Sequence, residues 1–190
     1  MVRLARPDDV SAIVALAEEK RFQYAQYQPV FWRVAEDAVF QHRPFVANQV
    51  DRQDVITLVH EDSLGTISGF IIAIQVAPPA VYDPGGPSCY VDDFWVQGGR
   101  DWETVGIELL DAAIDRARRE WGATQVVVVS GHLDHNKREF LTQQGLSIAT
   151  EWYVRPLDSS SFNPSVTSVA EHVDNITDRV NASARTKDSK

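Results

Sequence analysis

The chain has a single cysteine, Cys89, in 190 residues, and its hydrophobic stretches are all short. One cysteine excludes an internal disulfide. A membrane-spanning helix needs roughly 18 or more consecutive apolar residues, and charged or polar residues interrupt every apolar run here well before that. Positive charge is also scarce, with 18 Lys and Arg against 27 Asp and Glu, a net charge of −9. That balance argues against nucleic acid or an anionic membrane as a partner, and is compatible with a cationic one such as an amine. Gly98-Gly99 lacks the residues that would make a dinucleotide or Walker loop. Arg3, Arg6, Asp8 and Asp9 break up the N-terminal stretch, so it lacks the apolar core of a signal peptide. The expectation is a cytoplasmic protein, with Asn175-Ile-Thr and Asn181-Ala-Ser as chance matches to the glycosylation pattern.

What is present is organised around Ser88 to Trp121. Cys89 to Val96 alternates aromatic and aliphatic residues on both faces, the pattern of a central strand covered on both sides. Asp92 and Asp93 interrupt it, and are expected to point to opposite faces of the sheet. A carboxylate inside a buried strand is costly unless it is used or satisfied. Gln97 to Glu103 forms a loop, and a helix follows from Thr104. Its apolar face is Val105, Leu109, Leu110, Ala113, Ile114, Ala117 and Trp121, with acids at the start, arginines late and Gly122 past the end. A strand running through a loop onto a helix N-terminus offers free N–H groups to an anion.

Around this centre, Val2 to Ala5 reads as a strand. A helix starts at Pro7 with Asp8 as N-cap and runs to Tyr27, and a second is expected from Phe31 to Gln41. Residues 21–32 carry five rings, Phe22, Tyr24, Tyr27, Phe31 and Trp32. Asp54 to His60 and Thr66 to Val76 form a hairpin, and the proline- and glycine-rich residues 77–87 form a loop. Thr124 to Ser130, with four successive valines, reads as a buried strand parallel to Cys89–Val96. A short helix over Asp134 to Gln144 and a last strand over Ile148 to Leu157 complete the series. Residues 1–157 then form one α/β domain with a mixed, mostly antiparallel sheet of about six to seven strands flanked by helices. Residues 158–164 read as a linker. Val166, Val169, Val173, Ile176 and Val180 form a stripe on a C-terminal helix, packing on its own domain or on a second subunit as a homodimer. Residues 184–190 are expected to be disordered.

In its order of elements this stretch resembles the GCN5-related N-acetyltransferases, over roughly residues 2 to 157. The family's phosphate loop, Arg/Gln-x-x-Gly-x-Gly, falls on Asp101-Trp-Glu-Thr104-Val105-Gly106. Its later pattern, Asn-x-x-Ala-x-x-Leu-Tyr-x-x-x-Gly-Phe, falls on Asp134-His-Asn-Lys137-Arg-Glu-Phe140-Leu141-Thr-Gln-Gln-Gly145-Leu146. Asp101 and Thr104 replace the basic residue and first glycine, Lys137 the alanine, and Leu141 the tyrosine. The resemblance implies an acyl-CoA N-acyltransferase fold, acetyl-CoA as co-substrate, and direct transfer of acetyl to an amine of a small molecule or peptide. It implies Asp92 as general base. Trp95 or Val96 N–H would polarise the thioester, with Arg100, Thr104, Val105 and Gly106 at the pyrophosphate. Tyr24, Tyr27 and Trp32 would wall the acceptor. The replaced residues keep a second reading open, a non-catalytic acyl-CoA-binding or regulatory module on the same fold. A third is an interaction protein acting through the C-terminal stripe. His132, Asp134 and His135 fit no metal spacing, and Cys89 reads as a buried structural thiol.

Overall fold

The computed structural model describes residues 1–157, and the fold that follows is that of the compact unit Met1–Tyr153. Its elements in chain order are β1 (Val2–Leu4), a 3-10 turn over Pro7–Asp9, α1 (Val10–Tyr27), α2 (Ala38–Asp51), β2 (Val55–Glu61), β3 (Ile67–Val76), β4 (Ser88–Val96), α3 (Val105–Trp121), β5 (Gln125–Val128) and α4 (His135–Gln143). Among the described residues the five strands form one sheet in the order β1-β2-β3-β4-β5. All neighbours run antiparallel except β4 and β5, which are parallel as the crossover through α3 requires.

Two layers of helix cover the sheet. α1 buries Val10, Ile13, Val14, Leu16, Ala17, Lys20 and Tyr24, a stripe at helical spacing. On β4, Trp95 meets Tyr24 of α1 while Phe94 meets Phe140 of α4, so successive side chains serve opposite layers. α3 brings Val105 and Leu109 so close to Gly69 of β3 that a Cβ there would lie 2.8 and 3.0 Å from them. Gly122, at φ 64°, ends α3 in the left-handed conformation glycine tolerates, and Ala123 N–H closes the cap on the Ala117 carbonyl.

The structure corrects four expectations. Residues 147–156 form no strand, so five strands stand where six to seven were expected. Trp152 and Tyr153 are 76% and 90% exposed, and alternation alone cannot supply the partner a strand needs. The second helix begins at Ala38 rather than Phe31, because Phe31 and Trp32 pack edge to face in a turn, 4.7 Å between centroids. It then runs through Pro44 to Asp51. At the start of α1 it is Asp9, not Asp8, whose carboxylate takes a backbone N–H, that of Arg6 at 2.7 Å, while also holding Arg3. Finally, Asp92 and Asp93 do not simply alternate. Asp93 opposes Ile72 and Val91 opposes Ala73, so Asp92 is the extra residue of a β-bulge. The linker and the valine stripe lie outside the described residues.

Candidate functional site

The bulge at Asp92 is where β4 and β5 part. Their parallel pairing runs from Ser88–Gln125 to Val91–Val128, and Val129 N–H still donates to the Val91 carbonyl at 2.9 Å. Past that point β4 continues to Val96 without β5 beside it. Strand separation of this kind frees main-chain groups on the inner edge of each strand, and each must find a partner.

One side chain takes two of them. Lys137, in the first turn of α4, is fully buried. Its Nζ donates to the Phe94 carbonyl of β4 at 3.1 Å and to the Val129 carbonyl just after β5 at 2.9 Å. The same Nζ lies 5.3 Å from the Phe94 ring centroid and 5.6 Å from that of Trp102, within cation–π range. Among the described residues no carboxylate lies within ion-pair distance of it. Burial pushes the ammonium down to about 7, and the charge of Lys20 adds to the effect. Because backbone groups alternate along a strand, the Phe94 carbonyl on the cleft side puts the N–H of Trp95 toward β3 and that of Val96 toward the cleft.

Trp102 fills the space above. It is 2% exposed, stacks on Phe140 of α4 at 5.4 Å and 27°, and meets Phe94 and Trp95 edge to face. Its indole N–H donates to the Gly99 carbonyl at 3.1 Å, and Asn136 of α4 reaches the same carbonyl with its amide N–H, also at 3.1 Å. Residues 97–104, two short 3-10 turns, are thereby drawn down onto α4. Gly106 sits beneath the indole, where a Cβ would lie 3.0 Å from Trp102 Cε3.

On the opposite face Asp93 accepts a 2.8 Å hydrogen bond from Lys20 and faces His42 Nε2 at 3.7 Å. Burial alone would raise its carboxyl, but the Lys20 and His42 partners outweigh that and hold it below the ordinary carboxylate range. Lys20 also donates to the Asp92 carbonyl at 2.8 Å, bracing the bulge from its own main chain. The Asp92 side chain is exposed and makes no hydrogen bond among the described residues.

Tyr24, Tyr27 and Trp32 come together as a cluster, with centroids 5.7 Å apart for Tyr24–Tyr27 and 5.1 Å for Tyr24–Trp32. Tyr24 is core: its hydroxyl donates to Asp134 Oδ2 at 3.0 Å and accepts the Gly131 N–H at 3.1 Å. Burial and the neighbouring Asp134 carboxylate push that hydroxyl far above its ordinary value. Tyr27 and Arg100 border a polar cavity of about 260 Å³ with Gln23, His135 and Asn136. Val96 and Val105 are buried, and Thr104 is exposed and makes no side-chain cap to α3. A larger apolar groove of about 670 Å³ runs along α2 beside Phe40, Arg43, Pro44 and Ala47, and contains none of the expected site residues.

Sequence reasoning passed over Lys137 as a site residue. The signal was available in its spacing: Lys137, Phe140 and Leu141 stand at i, i+3 and i+4, which puts a lysine on the buried stripe of α4.

A parallel β4–β5 pair that parts at a bulge, with a loop-to-helix junction after β4 and a short helix after β5, is the fold of the GCN5-related N-acetyltransferases, and this chain has that fold. A Bacillus halodurans protein solved as a tetramutant superposes with a TM-score of 0.71 at 16% identity, over 83% of this chain and 99% of that one. A predicted acetyltransferase from Clostridium acetobutylicum, solved with acetyl-CoA, gives 0.62 at 14% identity, over 83% and 96%. The ribosomal-protein-alanine N-acetyltransferase of Brucella melitensis gives 0.57 at 17%, over 82% and 99%. No family model matches the sequence, and no curated protein matches it either.

The main-chain carbonyls that the parted strands offer are taken by Lys137, and the floor of the loop is taken by Trp102. Asp101 and Glu103 put two carboxylates in the turn just before α3, where a diphosphate would need positive charge.

Proposed function

We propose that the chain uses the N-acetyltransferase fold as a binding or regulatory module and does not turn over acetyl-CoA. The observation that carries this reading is the closure of the β4–β5 cleft by Lys137 and Trp102, both buried and both tied to main-chain carbonyls. Displacing them would leave those carbonyls unpaired, at a cost of about 1–3 kcal/mol for each. Two acidic residues in the loop oppose a diphosphate further. Calorimetric titration of the whole chain with acetyl-CoA is the test. No heat of binding at millimolar ligand is expected, and micromolar binding would end the reading.

A second reading, acetyl-CoA-dependent transfer to an amine of a small molecule or peptide, is favoured by one observation. Asp92 presents a free, exposed carboxylate at the bulge, the position where the family places its base. It needs residues 97–104 and Lys137 to move aside, and Tyr27, with Trp32 behind it, would then border the acceptor. The same titration separates the two readings.

A further inference from the structure

The surroundings of Lys137 are those of a receptor for a primary amino group. Two carbonyl oxygens, from Phe94 and Val129, accept from one nitrogen at 3.1 and 2.9 Å, and the rings of Phe94 and Trp102 present their faces to it. Among the described residues no carboxylate lies within ion-pair distance of that nitrogen, so the two carbonyls are its hydrogen-bond acceptors. A buried lysine held in this way is expensive compared with a leucine or methionine of similar length. An apolar side chain would leave both carbonyls without donors. The lysine reaches them from the first turn of α4, anchored by Asp134, which accepts the Lys137 main-chain N–H at 3.3 Å and the Tyr24 hydroxyl at 3.0 Å.

We infer that Lys137 is the resident ligand of the β4–β5 cleft: its tethered amino group fills a pocket built for an N–H donor, and removing the side chain turns that pocket into a site for a free primary alkylamine. The inference rests on the reading of the cleft as closed, and it goes further by naming the chemistry the cleft selects. The selected group must carry at least two N–H donors on one nitrogen, to satisfy two carbonyls. It must also be slender, since Lys137 is buried beside the rings of Phe94 and Trp102. A primary alkylamine meets both conditions. A quaternary ammonium has no donor, and an alcohol has only one.

The experiment uses the full chain with Lys137→Ala and n-butylamine as the probe. The variant is expected to melt lower than the unaltered chain and to recover in a saturable way as n-butylamine is added. Its affinity for the amine should exceed that of the unaltered chain by at least about tenfold, or 1.4 kcal/mol. Tetramethylammonium and n-butanol at the same concentrations should leave it unmoved. A folded Lys137→Ala protein that responds to n-butylamine no more than the unaltered chain overturns the inference. Should that variant not fold, the unaltered chain labelled with nitrogen-15 at lysine supplies the decision. A slowly exchanging Nζ ammonium resonance, lost in Lys137→Met, is expected, and its absence overturns the inference. Acetyl-CoA binding by the unaltered chain would defeat the closed-cleft reading while leaving amine rescue to be judged by its own result. Failure of rescue in a folded variant defeats only the resident-ligand inference.

Discussion

Lys137 Nζ donates to the Phe94 carbonyl at 3.1 Å, joining the first turn of α4 to the strand from which β5 has already departed. The contact spans the place where the sheet opens, and its chemistry makes the stability of the chain dependent on pH in a defined direction. Burial pushes Lys137 down to about 7 in the folded chain, while in the unfolded chain it returns to its ordinary value of 10.5. Between those values the unfolded state binds more protons, so stability rises with pH, by at most about 1.4 kcal/mol per unit. The window for observing this is about pH 7 to 9, because the buried Cys89 thiol, pushed up from 9.0 to about 11, opposes it at higher pH. Urea unfolding at pH 7, 8 and 9 should show rising stability, and Lys137→Met should flatten the trend.

Gly106 separates the packing role of its position from a ligand role. A Cβ at 3.0 Å from Trp102 Cε3 forces the indole to shift, so Gly106→Ala should lower stability by about 1–3 kcal/mol. Pairing it with Trp102→Phe should recover part of the loss, since the smaller ring leaves room. Chemical denaturation of the single and double variants reads the coupling directly.

Asp93 and Lys20 are the charged pair behind the bulge, with side chains 22% and 9% exposed. Lys20 and His42 hold the Asp93 carboxyl low, so it contributes stability above its ordinary value of 3.8 that is lost as pH falls through the lower folded value. Asp93→Asn should therefore blunt acid denaturation below about pH 4. At neutral pH it should cost about 3–5 kcal/mol, the penalty for leaving a buried lysine without its counter-ion. A thermal-melt series from pH 2 to 7 on both proteins tests this.

Asp92, exposed and unpaired, predicts the opposite behaviour. Asp92→Asn should change stability by no more than about 0.5 kcal/mol. If the chain carried the alternative acetyltransferase activity, the same variant would depress turnover at neutral pH with the fold intact. A product assay run beside a melting curve distinguishes the outcomes.

Much of this architecture is written in local pattern. The run of valines through β5, the amphipathic stripe and glycine cap of α3, and the short α4 with its apolar pair each follow from periodicity and end signals. The position of α2 does not, because Phe31 and Trp32 close a turn on each other, a contact that no local pattern separates from a helix. Pro44 also masks the helix that runs through it. The bulge at Asp92 has no signature within β4. It exists only in the register with β3, where Ile72 and Ala73 face Asp93 and Val91, so no reading of one strand could place it. Lys137 lay in plain view as a cation on an apolar stripe, but its partners are main-chain oxygens of Phe94 and Val129, which every sequence possesses and no sequence marks.

The Tyr24 hydroxyl joins groups 107 and 110 positions further along the chain, the Gly131 N–H and the Asp134 carboxylate. Such a joint can close only after the intervening strands have docked, because the entropy of closing so long a loop is recovered late. The phenol therefore acts as a keystone set last. Tyr24→Phe should leave early collapse untouched, speed unfolding more than it slows folding, and reveal by that asymmetry that the two ends of the domain are clasped only when assembly is complete.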